Sequence, residues 1–254
     1  MRAELICFSD LHISPRTVKN VAEVLQQITE DILDRQPQAV VCVGDIGDFA
    51  SHNRKSVEFK TADTKEELKA VKDVLCNYLF KPIADYNEHR RELKKKCYKP
   101  RFIFCLGNHD KLEHRWFESF FKEVSKRLRC PIEVVDEDAM GIADDLVYFK
   151  HTFDKGISGI AHTTCAGILK DLHATCIQGH RHVREVAEDR DLEGRKIIAI
   201  CLPCATTDRP EWAAESAMKW DTGWLRFSYD LSRNFHYEFM EFDDDRVFTM
   251  AETC

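Results

Sequence analysis

Apolar residues in the first half of the chain form two patterns, short continuous runs and helical repeats. Three runs have the length of buried strands: Leu5–Phe8, Ala39–Val43 and Arg101–Leu106. Between the first two runs, apolar residues recur every three or four positions, at Val18, Val21, Leu25, Ile28 and Ile32. This spacing predicts a helix with one buried stripe that begins at Ser14 and Pro15 and ends near Pro37.

The second half of the chain continues the alternation. Further strand-like runs are Leu146–Lys150, Thr175–Gln178 and Lys196–Cys201. A helix is predicted over Thr163–His173. Trp224–Tyr229 and Phe235–Phe242 flank Ser232–Asn234 and predict a late hairpin. Strands that alternate with helices in this way indicate an α/β fold.

Charge is distributed unevenly along the chain. The 254 residues include 37 Lys and Arg against 44 Asp and Glu, which gives a net charge of −7. Residues 51–100 alone carry +5, so the rest carries −12. We predict a single domain over residues 1–254, with a basic helical insert at 51–100 and a C-terminal hairpin at 222–242. The chain has no apolar stretch of about 18 residues and no apolar signal core, so we expect a cytoplasmic protein without membrane contact.

The eleven cysteines are spaced irregularly, and several lie inside apolar runs. Without a signal peptide, they are expected to be reduced thiols that fill the core. Cys201 and Cys204 have the spacing of a metal-binding pair, but no second pair follows them. We therefore expect no thiolate metal site.

Polar residues gather where the predicted strands end. The segments that follow five strands are Ser9–His12, Gly44–Asp48, Gly107–Asp110, His151 and Gly179–His182. Ligands bind at the carboxyl ends of strands in open α/β sheets, so these Asp, Asn and His side chains are predicted to meet at one place. The side chains of Asp10 and His12 point to the same side of an extended chain, as do those of His180 and His182, so each pair could bind a metal ion.

In this order, the five blocks resemble the signature of the calcineurin-like metallophosphoesterases. The signature D-x-H, G-D-x-x-D, G-N-H-D, H and G-H-x-H runs here from residue 10 to residue 182. The surrounding segments GDIGDFAS, YKPRFIFCLGNHDKLEHR and YFKHTFDKGISG also resemble a branch common in tailed phages. The resemblance implies an αββα sandwich, in which helices flank two mixed sheets.

The resemblance also implies a dinuclear metal centre. By this likeness, the ligands of the first ion are Asp10, His12 and His182, those of the second are Asn108, His151 and His180, and Asp45 bridges the two. Manganese is the first expectation, and iron, zinc or nickel ions also suit carboxylate, amide and imidazole ligands. In the family, a hydroxide that bridges the two ions attacks phosphorus.

Two further residues have expected roles by the same likeness. His109 would protonate the leaving oxygen, and Asp48 would orient His109 through a carboxylate–imidazole hydrogen bond. In the fourth block, His151 is favoured over His162 because His151 directly follows a strand.

The implied activity is hydrolysis of phosphomonoesters or phosphodiesters, with action on nucleotides or nucleic-acid ends as an alternative. The protein serine/threonine phosphatases of this superfamily carry Arg directly after the second block, where Phe49 stands here, which disfavours protein phosphatase activity. Arg54 or Lys55 could approach the cleft that holds the metal ions and take the place of that Arg. A catalytically inactive scaffold is a further alternative, but such a scaffold would have lost ligands, and none is missing.

The basic insert leaves two interpretations open. Arg90, Arg91 and Lys94–Lys96 lie on a predicted helix with Tyr98 nearby. They could guide a nucleic acid or nucleotide into the cleft, or they could form a solvated helix face.

Overall fold

Eleven strands form two sheets within the part of the chain that the computed structural model describes, residues 2–52, 62–136, 140–144, 146–153, 164–209 and 219–245. Numbered along the chain, they are β1 (Arg2–Phe8), β2 (Ala39–Val43), β3 (Arg101–Cys105), β4 (Ile132–Val135), β5 (Gly141–Ala143), β6 (Val147–Phe149), β7 (Thr175–Gln178), β8 (Glu185–Arg190), β9 (Lys196–Cys201), β10 (Gly223–Asp230) and β11 (His236–Glu241). The first sheet has the order β11-β10-β1-β2-β3-β4, and the second has the order β5-β6-β7-β9-β8.

Both sheets are mixed. In the first, β1 to β4 are parallel, and β10 and β11 continue the sheet antiparallel. In the second, β6, β7 and β9 are parallel, while β5 and β8 pair antiparallel at the edges. The carboxyl ends of β1, β2 and β3 therefore lie along one edge of the first sheet, where the segments that follow them can meet.

Five α-helices cover the outer faces within the described residues. They are α1 (Val18–Arg35), α2 (Thr64–Leu75), α3 (Lys81–Glu92), α4 (His114–Leu128) and α5 (Cys165–Leu172). A short π-helical segment, Cys76–Phe80, joins α2 to α3.

Side-chain alternation along the strands separates three apolar layers. In β1, Ile6 and Phe8 pack with the helices α1 to α4, whereas Leu5 and Cys7 face the second sheet. In β9, even-numbered Ile198 faces the first sheet and its neighbour Ile197 faces α5. The layers are therefore helix, sheet, sheet and helix, and the predicted sandwich of two mixed sheets flanked by helices is confirmed.

The start of α1 differs from the prediction. The helix begins at Val18, not at Ser14 and Pro15, because the preceding residues form a turn. The Ser14 amide donates to the Thr17 hydroxyl at 2.8 Å, and that hydroxyl donates to the His12 carbonyl at 2.8 Å. The other end agrees with the sequence, since α1 ends at Arg35 and Gln36 adopts a left-handed φ of 50°.

The elements β4, β5, β8 and α4 have no counterpart in the predicted set. The exposed edge strand β8, with the sequence EVAEDR, lacks an apolar run, so hydropathy gives no signal there. The late hairpin is present as β10 and β11. The limits of the domain and of the basic insert stay predictions.

Candidate metal centre

Hydrogen bonds donated by backbone amides connect the segments after β1, β2 and β7. The Asp10 amide donates to the Gly44 carbonyl at 3.0 Å, and the His12 amide donates to the Asp45 carbonyl at 3.0 Å. From the second sheet, the His180 amide donates to both carboxylate oxygens of Asp10, at 3.1 and 2.9 Å. Three strand ends therefore present their polar side chains to a common space, as predicted from the sequence.

An unusual backbone conformation accompanies these side chains. The residues Asp10, His12, Asp45, His180 and His182 all have φ between 47° and 69°. Non-glycine residues in this left-handed region cost on the order of 1 kcal/mol or more each, and they persist where the surroundings over-determine them. Five of the twelve described non-glycine residues with a positive φ therefore converge on this space.

Two glycines allow the loops to approach the carboxylates closely. A Cβ atom on Gly107 would lie 2.1 Å from Oδ1 of Asp45. A Cβ atom on Gly179 would lie 2.7 Å from Oδ2 of Asp10. Any larger residue at either position would displace a carboxylate, so both glycines are required by contact.

Asp10, His12 and His182 form the first cluster of potential ligands. The Nε2 atom of His182 lies 3.0 Å from Oδ1 of Asp10 and 3.3 Å from Nε2 of His12. One proton cannot satisfy all of these acceptor atoms, whereas a divalent cation at their centre would satisfy them together. The donor set therefore fits a metal ion.

Asp45, His151 and His180 form the second cluster. The Nε2 atom of His151 lies 3.1 Å from Oδ2 of Asp45 and 3.3 Å from Nδ1 of His180. The other ring nitrogen of His151, Nδ1, lies 2.9 Å from the Val43 carbonyl, to which it can only donate. This bond keeps a proton on Nδ1, so Nε2 is the nitrogen whose lone pair points at the cluster once its own proton has left, which is the arrangement of a metal-binding histidine.

Asp45 lies between the two clusters. Its Oδ2 atom is 3.1 Å from Nε2 of His151 and 3.9 Å from Nε2 of His12. The side chain of Asn108 is exposed. Asn108 lies between Gly107 and His109 in the chain, and the amide of His109 donates to Oδ1 of Asp45 at 3.0 Å. The structure thus brings the seven predicted ligand positions to the same edge.

His109 contacts Asp48 in a different way from the one expected. Its Nδ1 atom lies 2.5 Å from the Asp48 carbonyl oxygen and 3.7 Å from carboxylate Oδ1. That carboxylate lies nearer to His12, with 3.5 Å between Oδ1 and Nδ1. The backbone of Asp48 therefore orients His109, while its carboxylate is shared between two imidazoles.

Electrostatics in the centre favour charged side chains in spite of burial. Burial would raise the pKa of Asp10, but His182 lowers it to about 2. Burial would likewise raise the pKa of Asp45, but His151 and His109 hold it well below its usual range. Burial opposes protonation of His151, yet the charge of Asp45 raises its pKa to about 10. The carboxylates are thus ionised near neutral pH, as metal ligands must be.

Asp110 is a buried residue to which the sequence reasoning gave no role. Its carboxylate accepts the amides of Ile46 and Gly47 at 3.0 Å each and the amide of Gly107 at 2.9 Å. Burial and the nearby Asp45 raise its pKa to about 6. Asp110 therefore ties the loop after β2 to the loop after β3. The sequence did carry a signal for this residue, because Asp110 is the last residue of the GNHD block.

Other residues named from the sequence have different positions. His162, Arg54 and Lys55 lie outside the described residues. Arg181 is bonded to Glu185. Phe49 is buried in the helix-side core.

The ten described cysteines are free, and none belongs to a described group of potential metal ligands. Cys201 donates its thiol to the Gly179 carbonyl at 3.5 Å, and burial raises its pKa to about 12. Eight of the ten are buried, as expected for cysteines that pack in the core, whereas Cys76 and Cys97 are half-buried.

The lysines of the basic insert, Lys94–Lys96, lie at the end of the first sheet opposite the candidate metal centre. Tyr98 donates its hydroxyl to the Pro37 carbonyl at 3.0 Å, just before β2 begins, and β3 begins at Arg101. Lys94–Lys96 therefore lie beyond the amino ends of these strands, about 17 Å of strand length from the carboxyl ends. This placement does not support guidance of a polyanion directly into the cleft.

In the part of the chain that the structure describes, no helix is both long enough and apolar enough to cross a membrane.

Similarity to known proteins identifies the family of the chain. A family model described as calcineurin-like phosphoesterase matches residues 4–200. The inner membrane complex anchor GAP50 of Plasmodium is 13% identical, with 98% of this chain and 87% of that chain covered and a TM-score of 0.37. A dimetal phosphatase from Danio rerio is 10% identical, with 95% and 99% covered and a TM-score of 0.36. No curated protein matches the chain.

Proposed function

The chain belongs to the calcineurin-like phosphoesterase family, and from that premise we propose that it hydrolyses phosphate esters with two divalent metal ions held at the edge of the first sheet. The observation that carries the proposal is the position of Asp45. A single oxygen of this buried carboxylate lies within 4 Å of imidazole nitrogens from both clusters, 3.1 Å from His151 and 3.9 Å from His12. A carboxylate in this position can serve as a ligand to two metal ions at once.

Each ion would take ligands from both sheets. We assign Asp10, His12 and His182 to the first ion, Asn108, His151 and His180 to the second, and Asp45 to both. Two divalent ions bound there would activate a water molecule and neutralise the charge of a phosphate group. Oxygen and imidazole ligands without thiolate suit manganese first, and iron, zinc or nickel as alternatives.

His109 would act on the leaving group. Its Nδ1 atom is engaged by the Asp48 carbonyl at 2.5 Å, which fixes the ring and leaves Nε2 to face the cleft, 4.0 Å from Oδ2 of Asp45. A protonated imidazole in this position can donate from Nε2 to a leaving oxygen. Asp48 is then a positioning residue that acts through its backbone.

The substrate class proposed is a phosphomonoester or phosphodiester. Protein phosphatase activity is not favoured, because Phe49 is buried in the core at the position where those enzymes carry Arg. A scaffold without activity is not favoured either, because all seven ligand positions keep ligating residues.

The decisive experiment removes and restores the metal. The purified protein is stripped with a chelator, divided, and resupplied with Mn²⁺, Fe²⁺, Zn²⁺ or Ni²⁺. Each sample is then tested on p-nitrophenyl phosphate, bis-p-nitrophenyl phosphate, cyclic nucleotides and short DNA. We expect hydrolysis to disappear with the chelator and to return with Mn²⁺; hydrolysis that is indifferent to the chelator would refute the mechanism.

A further inference from the structure

The two carboxylate oxygens of Asp10 have different neighbours. Oδ1 lies 3.0 Å from Nε2 of His182 and 3.9 Å from Nε2 of His12, so it belongs to the first cluster. Oδ2 lies 2.5 Å from the hydroxyl oxygen of Ser9 and accepts the His180 amide at 2.9 Å. The imidazoles assigned to the first ion therefore gather at one oxygen of Asp10, while the other oxygen is occupied by hydrogen-bond donors of the protein.

The hydroxyl of Ser9 is committed to Asp10. Ser9 is fully buried, and its Oγ atom lies 2.5 Å from Oδ2 of Asp10 and 3.4 Å from the Pro203 carbonyl oxygen. A hydroxyl carries one hydrogen, and a charged carboxylate at the shorter distance is a stronger acceptor than a neutral carbonyl at the longer one. Ser9 therefore donates to Asp10.

The surroundings of Ser9 hold its side chain in place. The Ala205 amide donates to the Ser9 carbonyl at 2.8 Å, and Ser9 forms a parallel β-bridge with Cys204. A Cβ atom on Gly179 would lie 2.8 Å from both Cβ and Oγ of Ser9, so the loop that begins there packs directly on this side chain. The hydroxyl thus has a fixed place beside the carboxylate.

We propose that Ser9 is a positioning residue, whose hydroxyl holds Oδ2 of Asp10 so that Asp10 binds the first ion through Oδ1 alone. The inference rests on the proposed function. A carboxylate with one oxygen held by a short charge-assisted hydrogen bond is kept from turning both oxygens to a cation. Hydrogen bonds to ligating side chains contribute about 10- to 100-fold to metal affinity. The second ion, whose assigned ligands do not include Asp10, should not depend on Ser9.

The test removes the hydroxyl in three backgrounds. Ser9→Ala is made in the otherwise unmodified chain, together with His151→Ala, which keeps every ligand of the first ion, and together with His182→Ala, which keeps every ligand of the second. Ser14→Ala is the matched control, because Ser14 is also buried and its hydroxyl lies 3.2 Å from the Thr17 hydroxyl and not beside a carboxylate ligand.

Three quantities are measured on each chain. They are the dissociation constants of Mn²⁺ by competition with a fluorescent chelator, the visible absorption of bound Co²⁺, which reports the coordination number, and the Tm of the metal-free protein.

We expect Ser9→Ala to raise the dissociation constant of one of the two Mn²⁺ ions by about 10- to 100-fold and to change the other by less than about threefold. The loss should be of the same size in the His151→Ala chain and absent in the His182→Ala chain. The Co²⁺ absorption of the first site should change, because Asp10 is then free to bind with both oxygens. Ser14→Ala should alter neither dissociation constant, whatever its effect on Tm.

Equal losses for both ions after Ser9→Ala would overturn the inference, because the hydroxyl would then act on the fold as a whole. Unchanged affinity for both ions would overturn it as well. Should the chains with one site hold no ion, the stepwise titration of Ser9→Ala in the otherwise unmodified chain decides. A failure of the proposed function looks different: the unmodified protein would bind no pair of ions, or would bind them and hydrolyse no phosphate ester.

Discussion

The Oδ2 atom of Asp45 lies 3.1 Å from the Nε2 atom of His151, and both side chains are buried. Asp45 follows β2 in the first sheet and His151 follows β6 in the second, so this contact joins the two sheets at their shared edge. His151 is also the residue on which the assignment of the second ion depends.

Replacement of His151 by Ala should remove one of the two ions. The first cluster does not include His151, so we expect about one equivalent of metal per chain where the unmodified protein binds two. Metal content after dialysis, measured by atomic spectrometry, checks this. His89→Ala, on the exposed face of α3, is the control. Retention of two equivalents would show that His162 or another residue supplies the ligand.

Replacement of His109 by Ala should separate metal binding from turnover. We expect two equivalents of metal to remain and kcat to fall by about 100-fold or more, since a positioned general acid typically contributes at least that factor. The loss should grow as the leaving group becomes a stronger base, because protonation then matters more. A series of substituted phenyl phosphates measures this, and an equal loss across the series would contradict the role.

Replacement of Gly107 by Ala should impair the centre without touching a ligand. The new Cβ would lie 2.1 Å from Oδ1 of Asp45, so the carboxylate must move. We expect weaker metal binding and a large loss of activity. Gly194→Ala is the matched control: its φ is 77°, so Ala is strained there by about 1–2 kcal/mol, but no atom lies within 4 Å of the new Cβ. That variant should lose stability and keep its metals.

Replacement of Asp110 by Ala should destabilise the chain strongly. Three amides, from Ile46, Gly47 and Gly107, would lose their acceptor in a buried place, at about 1–3 kcal/mol each. Chemical denaturation of the metal-free protein measures the free energy of unfolding. Asp73→Ala removes an exposed ion pair with Lys69 and should leave the transition unchanged. A small effect at Asp110 would mean that water replaces the carboxylate.

Metal binding should release protons at neutral pH. Burial opposes protonation of His12, but its contact with Asp48 and the charge of Asp45 raise its pKa to about 9, and the pKa of His151 is raised to about 10. Both imidazoles are therefore protonated at pH 7 in the metal-free protein and must lose those protons to bind an ion. Apparent affinity should rise between pH 7 and 9, and calorimetry in buffers of different ionisation enthalpy counts the protons. A pH-independent affinity would contradict the shifts.

The raised histidine pKa values also set the pH dependence of the metal-free fold. A folded pKa above the unfolded value of about 6.5 gives stability that is complete below that pH. The contribution is lost as pH rises through about 9 to 10 for His12 and His151. Tm of the metal-free protein should therefore fall progressively between about pH 6.5 and pH 10, and the fall should disappear when the ions are bound.

The sequence predicts the convergence of the site because its residues follow strands. Asp10, Asp45 and His180 each come within three residues of a strand end, and parallel strands deliver such ends to one edge. The contact of His109 with the Asp48 carbonyl could not be foreseen, because a motif specifies side chains and not which backbone oxygen lies nearest. The edge strand β8 was missed for a similar reason, since its pairing with β9 and not its own hydropathy makes it a strand.

Asp110 holds the loops after β2 and β3 with three hydrogen bonds from protein amides alone. These two loops are therefore tied to each other by the polypeptide itself. In evolutionary terms, a lineage that carries this framework can change its preferred ion, or the strength with which it holds one, by exchanging single side chains. The backbone that presents these side chains can stay unchanged.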